Sequence, residues 1–117
     1  ETVFAIERKT VSDLVQSVTF ERSRFFREME RLSGYQFKRL LIVGSRREIE
    51  AGLYRSRTTP KAVLASIATI EARFDVPAIF VSDATEAAAI IETWAHYWTR
   101  EQIKAGDQLL TDNGQEN

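Results

Sequence analysis

The chain contains no cysteine, which excludes disulfide staples and thiolate metal sites. Its single histidine excludes a histidine-rich metal cluster. Two prolines and five glycines leave no low-complexity linker, and no internal repeat is visible. No apolar run approaches the roughly 18 residues that a membrane span needs, and no secretory signal is evident. The expected setting is therefore intracellular and reducing: cytoplasmic, or nucleoid-associated in a prokaryote, with no membrane partner.

What remains is an ordinary globular composition. At 117 residues, 44% hydrophobic and 28% charged, the chain is long enough for one domain with one core. That domain is expected over residues 1–105, with a polar, frayed tail over 106–117. The net charge of −1 does not advertise a nucleic-acid binder. Its distribution is uneven, however. Residues 1–61 carry 13 Lys/Arg against 8 Asp/Glu, and residues 62–117 carry 3 against 9. A basic first half suits a protein that grips phosphates on one face.

The hydrophobic pattern alternates strands with helices. Val3 to about Lys9 reads as a strand, and Thr10 with Asp13 three residues on resembles a capping box. Leu14, Val15 and Val18 give that helix its apolar face. A second helix is predicted over about Glu21–Leu32, with Phe25, Met29 and Leu32 at helical spacing, ended by Ser33-Gly34. Phe37–Val43 is nearly continuous in apolar residues after Arg39 and reads as a central strand. A short helix around Arg46–Gly52 and a loop to Thr59 follow. Thr59 as N-cap with Pro60 at the first helical position opens a helix to about Phe74. Pro77–Val81 reads as the last strand. Ser82 or Asp83 then caps a helix reaching Trp98 or beyond, with Ile90, Ile91, Trp94 and Trp98 at core spacing.

Chemistry points to the end of the first strand. Side chains on a strand alternate faces, so Glu7 and Lys9 share one side, while Ile6 and Arg8 share the other. A carboxylate suits a hard cation held through oxygen. A neighbouring ammonium suits a phosphate's developing charge or an attacking water.

Glu7-Arg8-Lys9, three residues and then Asp13, with Leu14 and Ser17, resembles the nuclease domain of the XPF family of structure-specific DNA endonucleases. Later segments resemble it in the same order: Leu40-Leu41-Ile42-Val43-Gly44, Pro60 to Ile67, Val76 to Phe80, and Thr85-Glu86-Ala87-Ala88. The resemblance covers about residues 4–98. It implies an α/β, three-layer restriction-endonuclease-like core, its mixed or largely parallel central sheet flanked by helices. It also implies hydrolysis of phosphodiester bonds in branched, fork or flap DNA with Mg²⁺ or Mn²⁺, a role in DNA repair, and a homodimer. Glu7 is then the metal ligand, Lys9 assists the nucleophile, and Arg8 has a structural or phosphate-positioning role. Asp13 either caps its helix or orders the site. No residue is expected to bind an organic cofactor, and His96 is expected to be exposed.

The chain departs from that family at three places. A Gly-Asp-Tyr-like strand usually lies about ten residues before Glu-Arg-Lys and supplies a second acid; none stands there, so either one or more first strands are missing or the site lacks that ligand, which would leave the polypeptide inactive. Val43 occupies a strand end where an acid is common. Arg24 and Glu28 replace an Arg and a Gln, either as an i,i+4 pair worth about 0.3–0.5 kcal/mol or as a brace to the site. Backbone contacts to DNA are expected from Arg55, Arg57 and Lys61 around the Thr59-Pro60 helix start, and from Arg46 and Arg47 beyond the central strand. Arg22, Arg24, Arg27 and Arg31 of the second helix are a third candidate for backbone contact, but Arg24, Arg27 and Arg31 share one face and alternate with Glu28 and Glu30, so the group reads as a solvated face. The alternative function is a catalytically silent DNA-binding or dimerisation module. A sequence-specific restriction-like nuclease would need base-reading side chains, and none is identified.

Overall fold

A computed structural model describes residues 3–116, with side chains described as far as Thr111. In chain order the elements are β1 (Phe4–Thr10), α1 (Val11–Thr19), α2 (Arg22–Ser33), β2 (Phe37–Val43), α3 (Arg46–Glu50), α4 (Pro60–Phe74), β3 (Ala78–Val81) and α5 (Ala84–Glu116). The fold class is α/β, a small sheet with helices flanking it, as expected. Among the described residues the sheet has three strands, ordered β1-β2-β3, and every pairing is parallel.

The register aligns Glu7 with Leu40 and Lys9 with Ile42; across the next pair, Leu40 meets Ala78 and Ile42 meets Phe80. Ala5, Leu40, Ile42, Ala78 and Phe80 therefore share the face of Glu7 and Lys9. They pack with Leu14, Val15 and Val18 of α1, Phe25, Met29 and Leu32 of α2, and Val63, Ile67 and Ile70 of α4. These helical residues recur every three or four positions, which is why one stripe of each helix faces the sheet. Two loops are set by local chemistry. Ser45 and Glu48 form a reciprocal capping box that starts α3. Thr59 Oγ1 accepts from the Ala62 amide with Pro60 beside it, which starts α4.

Gly44 joins β2 to α3 at φ +142°, and a Cβ there would lie 2.5 Å from Val11 Cγ2. Only glycine lets the chain turn so close to the first residue of α1.

Contacts divide the chain after Ala87, where the single domain was expected to run to about residue 105. The first compact unit holds the sheet and α1–α4. The second, from Ala88, is the continuation of α5. The segment from Gly106, expected as a frayed tail, is instead helical to Glu116. Gln108, Leu109 and Leu110 are good helix formers, and they extend a helix already propagating from Ala84. Expectations that fall on Glu1, Asn117 and the side chains beyond Thr111 lie outside the described residues. Among the described residues no helix is long and apolar enough to cross a membrane.

Candidate active site

β1 borders the sheet, with β2 its only strand neighbour among the described residues. Glu7 projects from it, half-buried, into an open cleft of about 260 Å³. Ala5, Met29, Leu32 and Tyr35 give this cleft its apolar walls, and Glu28 and Arg31 of α2 supply the other charges. Lys9, two residues on, is also half-buried, with Nζ 5.3 Å from the centroid of the Phe25 ring. A cation over an aromatic face is held by the ring's quadrupole, which keeps the ammonium on the α2 side of the strand. Glu7 and Lys9 thus lie on one face, against the same helix.

Burial pushes the Glu7 carboxyl above its ordinary value; Lys9 draws it down and Glu28 raises it. Two carboxylates therefore address one cleft. The sequence leaves Glu28 either paired with Arg24 four residues earlier or bracing the site. That pairing does not form. Arg24 reaches back to Glu21 at 2.6 Å, leaving Glu28 on the Glu7 side of the helix. The helical phase carries the signal that locates it: Glu28 is three residues past Phe25 and four before Leu32, both buried, so it flanks the buried stripe.

The other candidates lie elsewhere. Arg8 is exposed on the opposite face of β1. Asp13 is exposed in the first turn of α1, where Thr10 Oγ1 accepts from its backbone amide at 3.1 Å. Its side chain is not among those lining the Glu7 cleft. Arg46 is exposed and pairs with Glu50 at 3.4 Å, and Arg47 is exposed beside it. Arg55, Arg57 and Lys61 are exposed before and within the first turn of α4. None of these five lines the cleft. Arg22, read as part of a solvated face, donates to Ser66 Oγ at 2.7 Å and to the Val18 carbonyl at 3.2 Å. It ties α2 to α4 and α1. His96 is exposed, as expected.

The sequence profile of the ERCC4 domain matches residues 1–93. The chain belongs to the ERCC4 domain family. The resemblance carried by Glu7-Arg8-Lys9 and the later segments is thereby borne out. Two solved structures are similar to this ERCC4 domain. XPF from Aeropyrum pernix matches with a TM-score of 0.70 and 23% identity, over 92% of this chain and 51% of that one. XPF from Aeropyrum pernix in complex with DNA matches with a TM-score of 0.66 and 25% identity, over 86% and 48%. The chain thus spans about half the length of the structures it matches. No curated protein sequence matches it.

Proposed function

We propose that this ERCC4 domain is a metal-dependent, structure-specific DNA endonuclease that hydrolyses phosphodiester bonds in branched, fork or flap DNA. The observation that carries this reading is the convergence of Glu7 and Glu28 on one open cleft beside α2, with Lys9 on the same strand face close enough to act on the Glu7 charge. The similarity to an archaeal XPF whose structure holds DNA supports it.

The donor set fits Mg²⁺ or Mn²⁺. Such ions take one or two carboxylates and complete their shell with water and phosphate oxygens. Glu7 and Glu28 would supply the carboxylates, in a cleft open enough to admit a phosphate. When bound, the ion would polarise the scissile phosphate and activate water. The chain's own residues have simpler tasks. Lys9, steadied over Phe25, offers a fixed positive charge to the phosphate oxygens as charge grows on them. Arg31 at the cleft's edge offers a phosphate contact that positions without reading sequence. Arg46, Arg47, Arg55, Arg57 and Lys61 would hold the backbone of the same DNA farther out. A homodimer, as the family likeness implies, would present two such clefts.

Labelled flap or fork DNA incubated with the protein and Mg²⁺ or Mn²⁺ should be cut near the junction, while a linear duplex of the same sequence survives. Equal cutting of both substrates would sink the claim of structure specificity.

A specific observation also favours the second reading, a silent DNA-binding or dimerisation module. Among the described residues no three His, Cys, Asp or Glu side chains converge where they could hold a metal. Calorimetric titration with Mn²⁺ separates the two readings. The endonuclease reading predicts saturable binding that Glu28→Gln weakens about 10- to 100-fold, the range seen when groups supporting a metal site are lost. A flat titration of the unaltered protein would favour the silent module.

A further inference from the structure

Phe20 is the C-cap residue of α1, and the residue is 77% exposed. Exposed aromatics are common singly, but this one stands where three grooves meet. On one side Leu53, itself 67% exposed, lies with Arg55 in a groove of about 590 Å³ along α1. On another, Arg55 and Arg57 line a groove of about 640 Å³ beside Thr19. The third runs toward α2 past Arg22, Arg24 and Arg27. Around one bare ring there are thus five arginines and a single acid, Glu21, which is already paired with Arg24.

The segment that carries the first two arginines is built to present them. From Leu53 to Thr58 exposure alternates: Leu53, Arg55 and Arg57 face out, and Tyr54, Ser56 and Thr58 face in. The inward set is tied together. Tyr54 Oη donates to the Thr58 carbonyl at 2.7 Å, and Ser56 Oγ donates to Thr58 Oγ1 at 3.0 Å. Thr58 Oγ1 also lies 2.8 Å from Thr19 Oγ1, the residue before Phe20. The loop is therefore fastened to the end of α1 with its guanidinium groups beside the ring. Neither Arg55 nor Arg57 makes an ion pair among the described residues.

We propose that Phe20 and its arginines form a second nucleic-acid subsite, which takes an unpaired base of single-stranded DNA on the Phe20 ring. Arg55 and Arg57 hold the flanking phosphates. The pairing of one flat apolar face with flanking guanidinium groups matches a nucleotide, which carries a π-face and an anion on one unit. An acidic peptide offers the charge without the face. Inside a duplex the base faces are covered, so the ring finds a partner only where strands separate. This subsite rests on reading the domain as a DNA nuclease, and it extends that reading from phosphate grip to recognition of the unpaired arm.

The test is fluorescence titration of the full chain with a short single-stranded oligonucleotide carrying 2-aminopurine, beside a fully paired duplex. Phe20→Ala is expected to weaken single-strand binding about 10- to 100-fold, with duplex binding changed less than about threefold, and Phe20→Trp restores it. Arg55→Ala and Arg57→Ala each lower the slope of log K against log salt by about 0.7, one phosphate contact apiece. Unchanged single-strand affinity in Phe20→Ala overturns the subsite, as does equal loss on both DNAs. Concentration-dependent self-association that Phe20→Ala abolishes also overturns it, because the face then belongs to a second copy. Tighter capture of an acidic peptide than of the oligonucleotide does the same. Glu7-dependent cleavage in the same preparations keeps the two readings apart: its absence, with Phe20-dependent binding intact, removes the nuclease reading and leaves the subsite.

Discussion

Alanine at Glu7 or at Lys9 is expected to lower cleavage of branched DNA about 100- to 1,000-fold each, the range for removing a group aimed at transition-state charge. The two losses should differ in kind. Glu7→Ala also weakens Mn²⁺ binding in a calorimetric titration, because the cleft then keeps only the Glu28 carboxylate. Lys9→Ala leaves metal binding in place and lowers kcat. Lys9→Arg is not expected to restore the rate, since a planar guanidinium over Phe25 presents its donors differently from a point charge. Equal activity in the unaltered protein and both alanine variants would end the endonuclease reading.

Glu7 also makes a prediction about stability. Its carboxyl is raised from an ordinary 4.5, by burial first and by Glu28 against the pull of Lys9. The folded chain therefore binds this proton more tightly than the unfolded chain does. Stability from this group is greatest below 4.5 and is lost as pH rises through the raised folded value. Without metal, Glu7→Gln should then melt at a higher temperature than the unaltered protein at pH 7, and the gap should close as pH falls toward 4.5. A Gln variant that melts lower at neutral pH would mean that the carboxylate is favourably paired there. A group that weakens the fold where it sits is one reason to expect chemistry from it.

The second large effect is on the fold that carries the cleft. Leu40 is fully buried and directly opposite Glu7 in the β1–β2 register, on the same face. Leu40→Ala should destabilise by about 2–5 kcal/mol, through lost transfer energy and the cavity left against α2 and α4. Against a total stability of about 5–15 kcal/mol, that is enough to expose the site to local opening. Denaturant midpoints measure it, with exposed Arg47→Ala as a companion expected to stay within about 0.5 kcal/mol. A Leu40→Ala loss below about 1 kcal/mol would contradict the burial of β2 beneath these helices.

Much of the architecture could be read in advance because its causes are local. Val3 to Lys9 was expected as a strand and Phe4–Thr10 is one; Phe37–Val43 agrees at both ends. Thr59 and Pro60 announce α4 because a hydroxyl acceptor and a residue without an amide suit a helix's free first turn. What failed depended on choices among competing partners. Arg24 had acids both three residues before it and four after; it took Glu21. The stretch from Gly106 looked like a tail from its polarity, yet polarity does not oppose a helix once α5 has been nucleated far upstream. Nothing near Phe20 in sequence says that Leu53 and Arg55 will stand beside it.

The sequence by itself determined that Glu7 and Lys9 share a face with Arg8 turned away, since the alternation of a strand is built into its backbone. It determined the family as well, through residues whose order survives without any coordinates. Only the tertiary structure decided that α2 lies across that face, bringing Glu28 to Glu7 and Phe25 beneath Lys9. It alone decided that the 53–58 loop closes on the end of α1. Such meetings join residues 16 to 39 positions apart. They are set by which apolar stripes bury together, a property of the whole packed core that no local pattern contains.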